Sequence, residues 1–252
     1  MRDAIIDSEL AADLRQANAS RAEFDRFLAS LYLYELTADQ VEALAGVAVE
    51  DDGSDVARGL GIIREYLRHR DRATPQALAV DYAHVFLGAG TYDKIMAPPY
   101  ESVFTSEERI LMQDARDGAL AYYRAEGLEL PADNTTPEDH LGFELQFAAL
   151  LAERMAEALE AGEAARAAEL ADLQRSFFTY HQANWLPALC DAVEEHAQTA
   201  FYRGVALVTR GYLAAEEAFV AEQAQALGLG EAVDEVLPPW RAAEADTAEA
   251  DA

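Results

Sequence analysis

The chain has 252 residues, of which 51% are hydrophobic, so it can bury a substantial core in one large domain or two tightly apposed halves. Its 47 acidic residues against 19 basic ones give a formal charge of −28, which argues against nucleic acid as a partner. We expect a cytoplasmic protein without stable membrane insertion, because no apolar run approaches the ~18 to 20 residues that cross a bilayer and the N-terminus is acidic.

The acidic excess predicts attraction of a cationic ligand or peptide, although solvated helix surfaces explain most of it. Lys94 is the sole lysine, and a halophilic origin would account for so many carboxylates with so little lysine. Cys190 is the single cysteine, so one chain can build neither an internal disulfide nor a multi-thiolate metal site. We expect Cys190 to act as a small buried hydrophobe.

Capping signals mark the predicted helix starts in chain order. The capping box, a hydroxyl residue followed three positions later by Glu or Gln, predicts helices that begin at Ser20, Thr37 and Thr105. Thr74 and Thr136 each precede a proline, which suits the first helical position, and they predict two more starts.

Apolar residues recur at intervals of three and four after Phe24 and again after Phe201, as on a buried helix face. Strand signals are nearly absent, so we predict an all-α fold of about ten helices in one globular domain covering residues 1–237. The irregular stretch 127–137 resembles a hinge between the two halves, which would permit either a monomer or a domain-swapped homodimer. Residues 238–252 are predicted to be an acidic, disordered tail.

Two local signatures about 40 residues apart lie at predicted loop-to-helix junctions, where scaffolds usually present functional groups. The first is Ala-Pro-Pro-Tyr-Glu-Ser-Val-Phe at 97–104, and the second is Thr-Pro-Glu-Asp-His-Leu-Gly-Phe-Glu at 136–144. Pro98 and Pro99 fix an extended backbone, and Tyr100 offers an aromatic face that suits an apolar or cationic peptide. A rigid loop packed on the core would explain the same residues.

The second signature has an equally local explanation. Asp139 and His140 fall in the first predicted turn after Pro137, where a carboxylate faces the positive end of the helix dipole. His140 precedes Glu144 by four residues, which allows a side-chain pair worth about 0.2 to 0.5 kcal/mol. Stabilisation of the helix start therefore explains the presence of Asp139 and His140 without a binding role. The aromatic run at 177–187 is most simply a helix end that packs its rings inward.

Residue patterns for catalysis are missing from the sequence. The five histidines form no His-Glu-x-x-His motif of a zinc hydrolase and no paired Glu-x-x-His motif of a di-iron bundle. No Gly-x-x-x-x-Gly-Lys loop is present to hold a nucleotide phosphate. We therefore expect a protein that is not an enzyme and that holds no metal or other cofactor.

In their order along the chain, these elements resemble the TorD/DmsD/NarJ family of cytoplasmic chaperones that mature molybdenum-containing redox enzymes. The matching elements are a helix that ends in Phe-Leu-Gly at 81–88, Pro-Pro-aromatic-x-Ser-Val-aromatic at 98–104, Pro-Glu-Asp-His at 137–140, His-x-x-x-Trp at 181–185 and Phe-Tyr at 201–202. Two details depart from the family pattern. Tyr100 stands where some relatives carry Trp, and Glu138 directly precedes Asp139.

The resemblance implies an all-helical chaperone for a molybdenum-cofactor oxidoreductase of the dimethyl-sulfoxide-reductase type. It would bind the twin-arginine leader of the enzyme's catalytic subunit, the apoprotein, or both, before export. Weak binding of guanine nucleotide is the one cofactor interaction that the resemblance allows. The predicted peptide-binding residues are Pro98, Pro99, Tyr100, Ser102, Phe104, Asp139, His140 and Glu144, with His181 and Trp185 in support.

Within that set, Asp139 would accept a leader guanidinium, His140 would orient it, and Tyr100 with the prolines would hold the apolar part of the leader. Three other interpretations stay open. The protein could be an assembly factor for a nitrate reductase or another non-exported subunit, as in the NarJ branch. It could also be a helical interaction scaffold, which would not distinguish Arg-Arg from Lys-Lys leaders, or a regulator with saturable nucleotide binding.

Overall fold

A computed structural model describes residues 6–89, 96–238 and 241 of the chain. These residues form ten α-helices and contain no strand, which confirms the predicted all-α fold. The helices are α1 (Ser8–Leu33), α2 (Ala38–Ala45), α3 (Asp55–Arg68), α4 (Thr74–Phe86), α5 (Glu101–Thr105), α6 (Asp114–Ala125), α7 (Leu141–Ala161), α8 (Ala164–His181), α9 (Leu186–His196) and α10 (Ala200–Ala226).

Two of the predicted helix starts are confirmed. Thr37 and Gln40 form both bonds of a capping box before α2, with Thr37 N donating to Gln40 Oε1 at 2.9 Å and Gln40 N donating to Thr37 Oγ1 at 3.3 Å. Helix α4 begins at Thr74 with Pro75 in its first turn. Thr74 Oγ1 accepts from Asp71 N at 2.9 Å, so this hydroxyl stabilises the turn that precedes the helix.

The other three predicted helix starts are wrong. Ser20 lies inside α1, whose N-cap is Asp7, so the capping-box pattern there falls within a continuous helix. Thr105 is the last residue of α5. Helix α7 begins at Leu141, four residues after Pro137, because residues 137–140 form a separate turn whose backbone bonds to the segment before α5.

Two large apolar clusters form most of the core, and a third, small one joins Ala22 of α1 to Ala149 and Ala152 of α7. The first lies between the C-terminal half of α1 and helices α3, α4, α9 and α10, and it includes Tyr32, Phe86 and Trp185. The second lies between α6, α7 and α8 around Tyr122 and Phe177. The long helices α1 and α7 contribute to both clusters, so the two halves of the chain share one framework.

The predicted apolar face of α10 is confirmed, since Phe201, Val205, Val208 and Tyr212 are all buried. Cys190 is also fully buried, as predicted, and burial raises the pKa of its thiol to about 12. Among the described helices, none combines the length and the apolar content needed to span a lipid bilayer.

Two predicted segments remain untested. The stretch 127–137 connects α6 to α7, and Gly127 begins it with a φ of 69°, the left-handed conformation that glycine adopts without strain. Hinge motion and exchange between protomers stay predictions. The predicted disordered tail, 238–252, lies outside the described residues apart from Pro238 and Arg241.

Candidate functional site

The two sequence signatures meet at an antiparallel bridge between Tyr100 and His140. Beside the bridge, Glu101 N donates to Asp139 O at 3.0 Å. The rings of Tyr100 and His140 pack edge to face, with 4.8 Å between their centroids. The turns that precede α5 and α7 are therefore direct neighbours, although 37 residues separate Ser102 from Asp139 along the chain.

Asp139 links the turn before α7 to α5. Its Oδ2 accepts from Ser102 N at 2.9 Å and also from Ser102 Oγ, which in turn accepts from Gln113 N at 3.1 Å. The carboxylate therefore satisfies a free amide at the start of α5, whereas the sequence predicted this role in the first turn of α7. Asp139 is fully buried, and burial raises the pKa of its carboxyl group. Its carboxyl group therefore has no exposed surface for a leader guanidinium in this conformation.

His140 is the N-cap of α7. Its Nδ1 accepts from Gly142 N at 3.0 Å, and burial lowers the pKa of the imidazole to about 4. The ring is therefore neutral near pH 7 and adds no positive charge to the site. The predicted side-chain pair with Glu144 is wrong, because Glu144 is fully buried and neither of its oxygens has a hydrogen-bond partner among the described residues.

Three buried carboxyl groups, from Glu101, Asp139 and Glu144, lie close together beneath the bridge. Burial raises the pKa of Glu144 well above its usual 4.5, and the charges of Glu101 and Asp139 raise it further. The indole N–H of Trp185 lies near Glu144 and donates to His181 O at 2.8 Å. Burial and the neighbouring carboxyl groups therefore favour the neutral form of Glu144 over its ionised form.

Glu101 connects α5 to the end of α8. Its Oε2 lies 2.7 Å from His181 Nδ1, and its Oε1 accepts from Asn184 Nδ2 at 2.7 Å. Gly118 leaves room for the imidazole, because a Cβ at that position would lie 2.7 Å from His181 Cε1. The predicted supporting residue His181 thus reaches the site through Glu101, which the sequence had not identified.

Trp185 supports α5 from the same side. Its ring centroid lies 5.6 Å from that of Phe104, and only 1% of its surface is exposed. Phe177 and Phe178 are also buried, which confirms that the aromatic run at 177–187 packs its rings inward. In the turn that precedes α5, Pro98 and Tyr100 are partly exposed, whereas Pro99 is buried.

The structure adds an exposed apolar loop, residues 106–113, that the sequence interpretation missed. Ile110, Leu111 and Met112 are 48%, 43% and 60% exposed, and Met112 has a φ of 61°, which is unusual for a residue with a side chain. The hydrogen bond from Gln113 N to Ser102 Oγ fixes the loop beside α5. The three consecutive apolar residues at 110–112 indicated this loop in the sequence. The incorrect helix start at Thr105 led us to expect a helix there.

A second group that the sequence interpretation missed lies just after the end of α1. Tyr34 is 67% exposed, and Glu35 is also exposed. Burial raises the pKa of Tyr82, and the nearby groups of Tyr100, Glu35 and Tyr34 raise it further, in that order. These side chains therefore lie within electrostatic range of one phenol. An exposed ring and an exposed carboxylate consequently lie near the bridge.

Comparison with known proteins identifies relatives of this chain. A family model described as nitrate reductase delta subunit matches residues 50–191, which include both signatures as well as His181 and Trp185. The chaperone protein TorD of Vibrio cholerae serotype O1 is 26% identical over 212 residues, covering 80% of this chain and 92% of the relative. The Tat proofreading chaperone DmsD of Salmonella typhi is 25% identical over 194 residues, covering 75% and 85%. The chain therefore belongs to the nitrate reductase delta subunit family, the TorD/DmsD/NarJ family that its motifs indicated.

Proposed function

We propose that this protein is a cytoplasmic, non-enzymatic chaperone that binds the twin-arginine leader of a molybdenum-cofactor oxidoreductase and assists its maturation before export. The leader would bind to the bridge surface, defined by Tyr34, Glu35, Tyr100 and the loop residues 110–112. The bridge between Tyr100 and His140 is the observation that carries this proposal. It places both family signatures beside an exposed apolar loop.

The chemistry of the bridge surface matches the two parts of such a leader. An apolar stretch can cover the exposed side chains of Ile110, Leu111 and Met112, which are costly to leave in water. A guanidinium can pair with the exposed carboxylate of Glu35, and it can also lie against the ring of Tyr100 or Tyr34. The net charge of −28 would attract the basic leader from a distance, less strongly at high salt.

In this arrangement the buried residues of the predicted site would not contact the leader. They would instead hold the backbone of α5 in position. Asp139 and Ser102 hold α5 against the turn before α7, and Glu101 with His181 holds α5 against α8. They are positioning residues for Tyr100 and for the 106–113 loop. Direct contact of Asp139 with a guanidinium is the alternative, and it requires the buried carboxyl group to become exposed.

Titration of the client's leader peptide by calorimetry tests the proposal. We expect Tyr100→Ala to weaken leader binding about 30-fold, because truncation of a central aromatic anchor at an interface commonly costs about 2 kcal/mol. Ile62→Ala removes an exposed apolar side chain from α3 and is the matched control, with unchanged affinity. Equal leader affinity for both variants and the parent protein would refute the proposed surface.

A second candidate is an assembly factor for a nitrate reductase or another non-exported subunit, which the description of the matching family favours. Co-purification followed by identification of the bound enzyme separates the two. A client with a twin-arginine leader supports the export chaperone, and a client without one supports the assembly factor. A parent protein that binds Arg-Arg and Lys-Lys leaders equally would instead support a general interaction scaffold.

A further inference from the structure

A groove of about 590 Å³ lies between α1, α3, α10 and the connection at 46–54. On α10 its lining extends from Gly211 to Phe219, which is about 12 Å along the helix axis. That length accommodates about three or four residues of extended peptide at ~3.3 Å each. No residue of the bridge surface lines this groove, so it is a separate site.

The walls of the groove are apolar, and one carboxyl group lies at its base. Phe24, Leu60 and Phe219 line the walls, and Asp25 lines the base. Asp25 is fully buried, and neither of its oxygens has a hydrogen-bond partner among the described residues. The hydroxyl of Tyr212 lies close to Asp25 and donates to Gln182 Oε1 at 3.2 Å.

The guanidinium that lines the groove is already engaged. Arg21 Nε donates to Glu216 Oε2 at 3.0 Å, and Arg21 Nη1 donates to Asn18 Oδ1 at 2.8 Å. The same guanidinium lies 4.3 Å from the centroid of the Phe219 ring. Arg21 therefore forms no ion pair with Asp25. A buried carboxylate without a partner is costly, and burial together with the charge of Glu216 raises the pKa of Asp25.

The mouth of the groove is also acidic, because Glu50 and Asp52 are exposed there. With Asp25 and Glu216, four carboxyl groups line the groove, whereas Arg21 supplies its single guanidinium. Lysine and arginine side chains suit this layout, because each has an apolar stem that can lie along apolar walls and a cationic end that can reach an acid. A peptide would also cover the aromatic walls, which a small free cation would leave exposed to water.

We propose that this groove binds a segment of a partner polypeptide in which one arginine or lysine lies among apolar residues, with the cationic group at the part of the groove that Asp25 lines. The apolar neighbours of that residue would cover Phe24 and Phe219. The site would give the chaperone a second contact with a partner, independent of the bridge surface.

The probe for this test is a fluorescein-labelled decapeptide of leucine and alanine with one central arginine. Binding is measured by fluorescence anisotropy in a Tyr100→Ala background, so that the bridge surface does not contribute. We expect Asp25→Asn to weaken binding about tenfold or more, which is the loss of a charge-assisted contact. Asp13→Asn, an exposed acid on the same helix and outside the groove, is the matched control and should leave affinity unchanged.

Two further measurements separate a binding role from a structural one. Ala215→Trp places a large ring at the groove and retains Asp25, and it should weaken binding to a similar extent. Asp25→Asn should unfold at the same temperature as its background or higher, because a buried acid without a partner is removed. The proposal is overturned if both variants bind the probe as tightly as the background, or if a probe with glutamate in place of arginine binds equally well.

Discussion

His181 Nδ1 lies 2.7 Å from Glu101 Oε2, and the two side chains are only 2% and 3% exposed, so the last turn of α8 holds the first residue of α5. We expect Glu101→Ala to lower the free energy of unfolding by about 1 to 3 kcal/mol, because His181 and Asn184 lose a buried acceptor. Urea denaturation measures this loss. Glu107→Ala, which truncates an exposed acid just beyond α5, is the control, and an equal effect of both substitutions would contradict the anchoring role.

Glu144 predicts an unusual dependence of stability on pH. Its pKa is raised above its usual 4.5 in the folded state, so between 4.5 and the folded value the native protein binds more protons than the unfolded chain. The parent protein therefore loses stability as pH rises from about 4.5 through the folded pKa. Glu144→Gln removes this loss. The free energy of unfolding of the variant, relative to that of the parent, should therefore rise by up to about 1.4 kcal/mol per pH unit. Parallel stability curves for the two proteins would show that Glu144 is ionised in the native state.

His140 predicts the opposite slope in acid. Its pKa falls from 6.5 to about 4 on folding, so the native state binds fewer protons than the unfolded chain between those values. The parent protein should therefore lose up to about 3 kcal/mol of stability through this residue as pH falls from 6.5 to 4. His140→Asn keeps a side-chain acceptor at the N-cap of α7 but does not titrate. As pH falls across this range, denaturation should show the variant becoming more stable relative to the parent. A constant difference in the free energy of unfolding would contradict the burial of a neutral imidazole.

Two glycines of α3 should respond to alanine in opposite directions. A Cβ on Gly59 would lie 2.7 Å from Gly204 O and from Val208 N, so Gly59→Ala must push α3 away from α10 and destabilise the protein. Gly61 is two residues further along the same helix and meets nothing within 4 Å. Gly61→Ala should therefore stabilise the protein by up to about 1 kcal/mol through helix propensity. Thermal unfolding of the two variants measures these effects. A shift of the unfolding temperature in the same direction for both would contradict the close approach of α3 and α10.

The parts of the structure that could be predicted from sequence depend on short-range interactions. Thr37 and Gln40 satisfy each other within one turn, so their pattern sufficed to place the start of α2. Ser20 carries the same pattern but is followed and preceded by residues that continue α1, so its amide needs no cap. A local pattern cannot distinguish a helix start from a helix interior when the apolar face continues through it.

The parts that could not be predicted depend on pairings distant in sequence. Ser102 and Asp139 are joined across 37 residues, and Glu101 meets His181 across 80. Glu101 has no periodic or capping signal of its own, so only the packing of α5 against α8 reveals it. The apolar residues 110–112 were visible in the sequence, but a helix was expected there and their exposure was not.

Site-specific crosslinking tests the proposed leader site most directly. A photo-reactive amino acid in place of Met112 lies on the bridge surface, whereas the same group in place of Glu160 lies near the far end of α7, about 30 Å from Leu141 along the helix. Both positions are exposed, at 60% for Met112 and 70% for the side chain of Glu160. We predict that a twin-arginine leader peptide crosslinks at position 112 and not at position 160. Crosslinking at 160 with none at 112 would place the leader elsewhere and contradict the proposed function of the bridge surface.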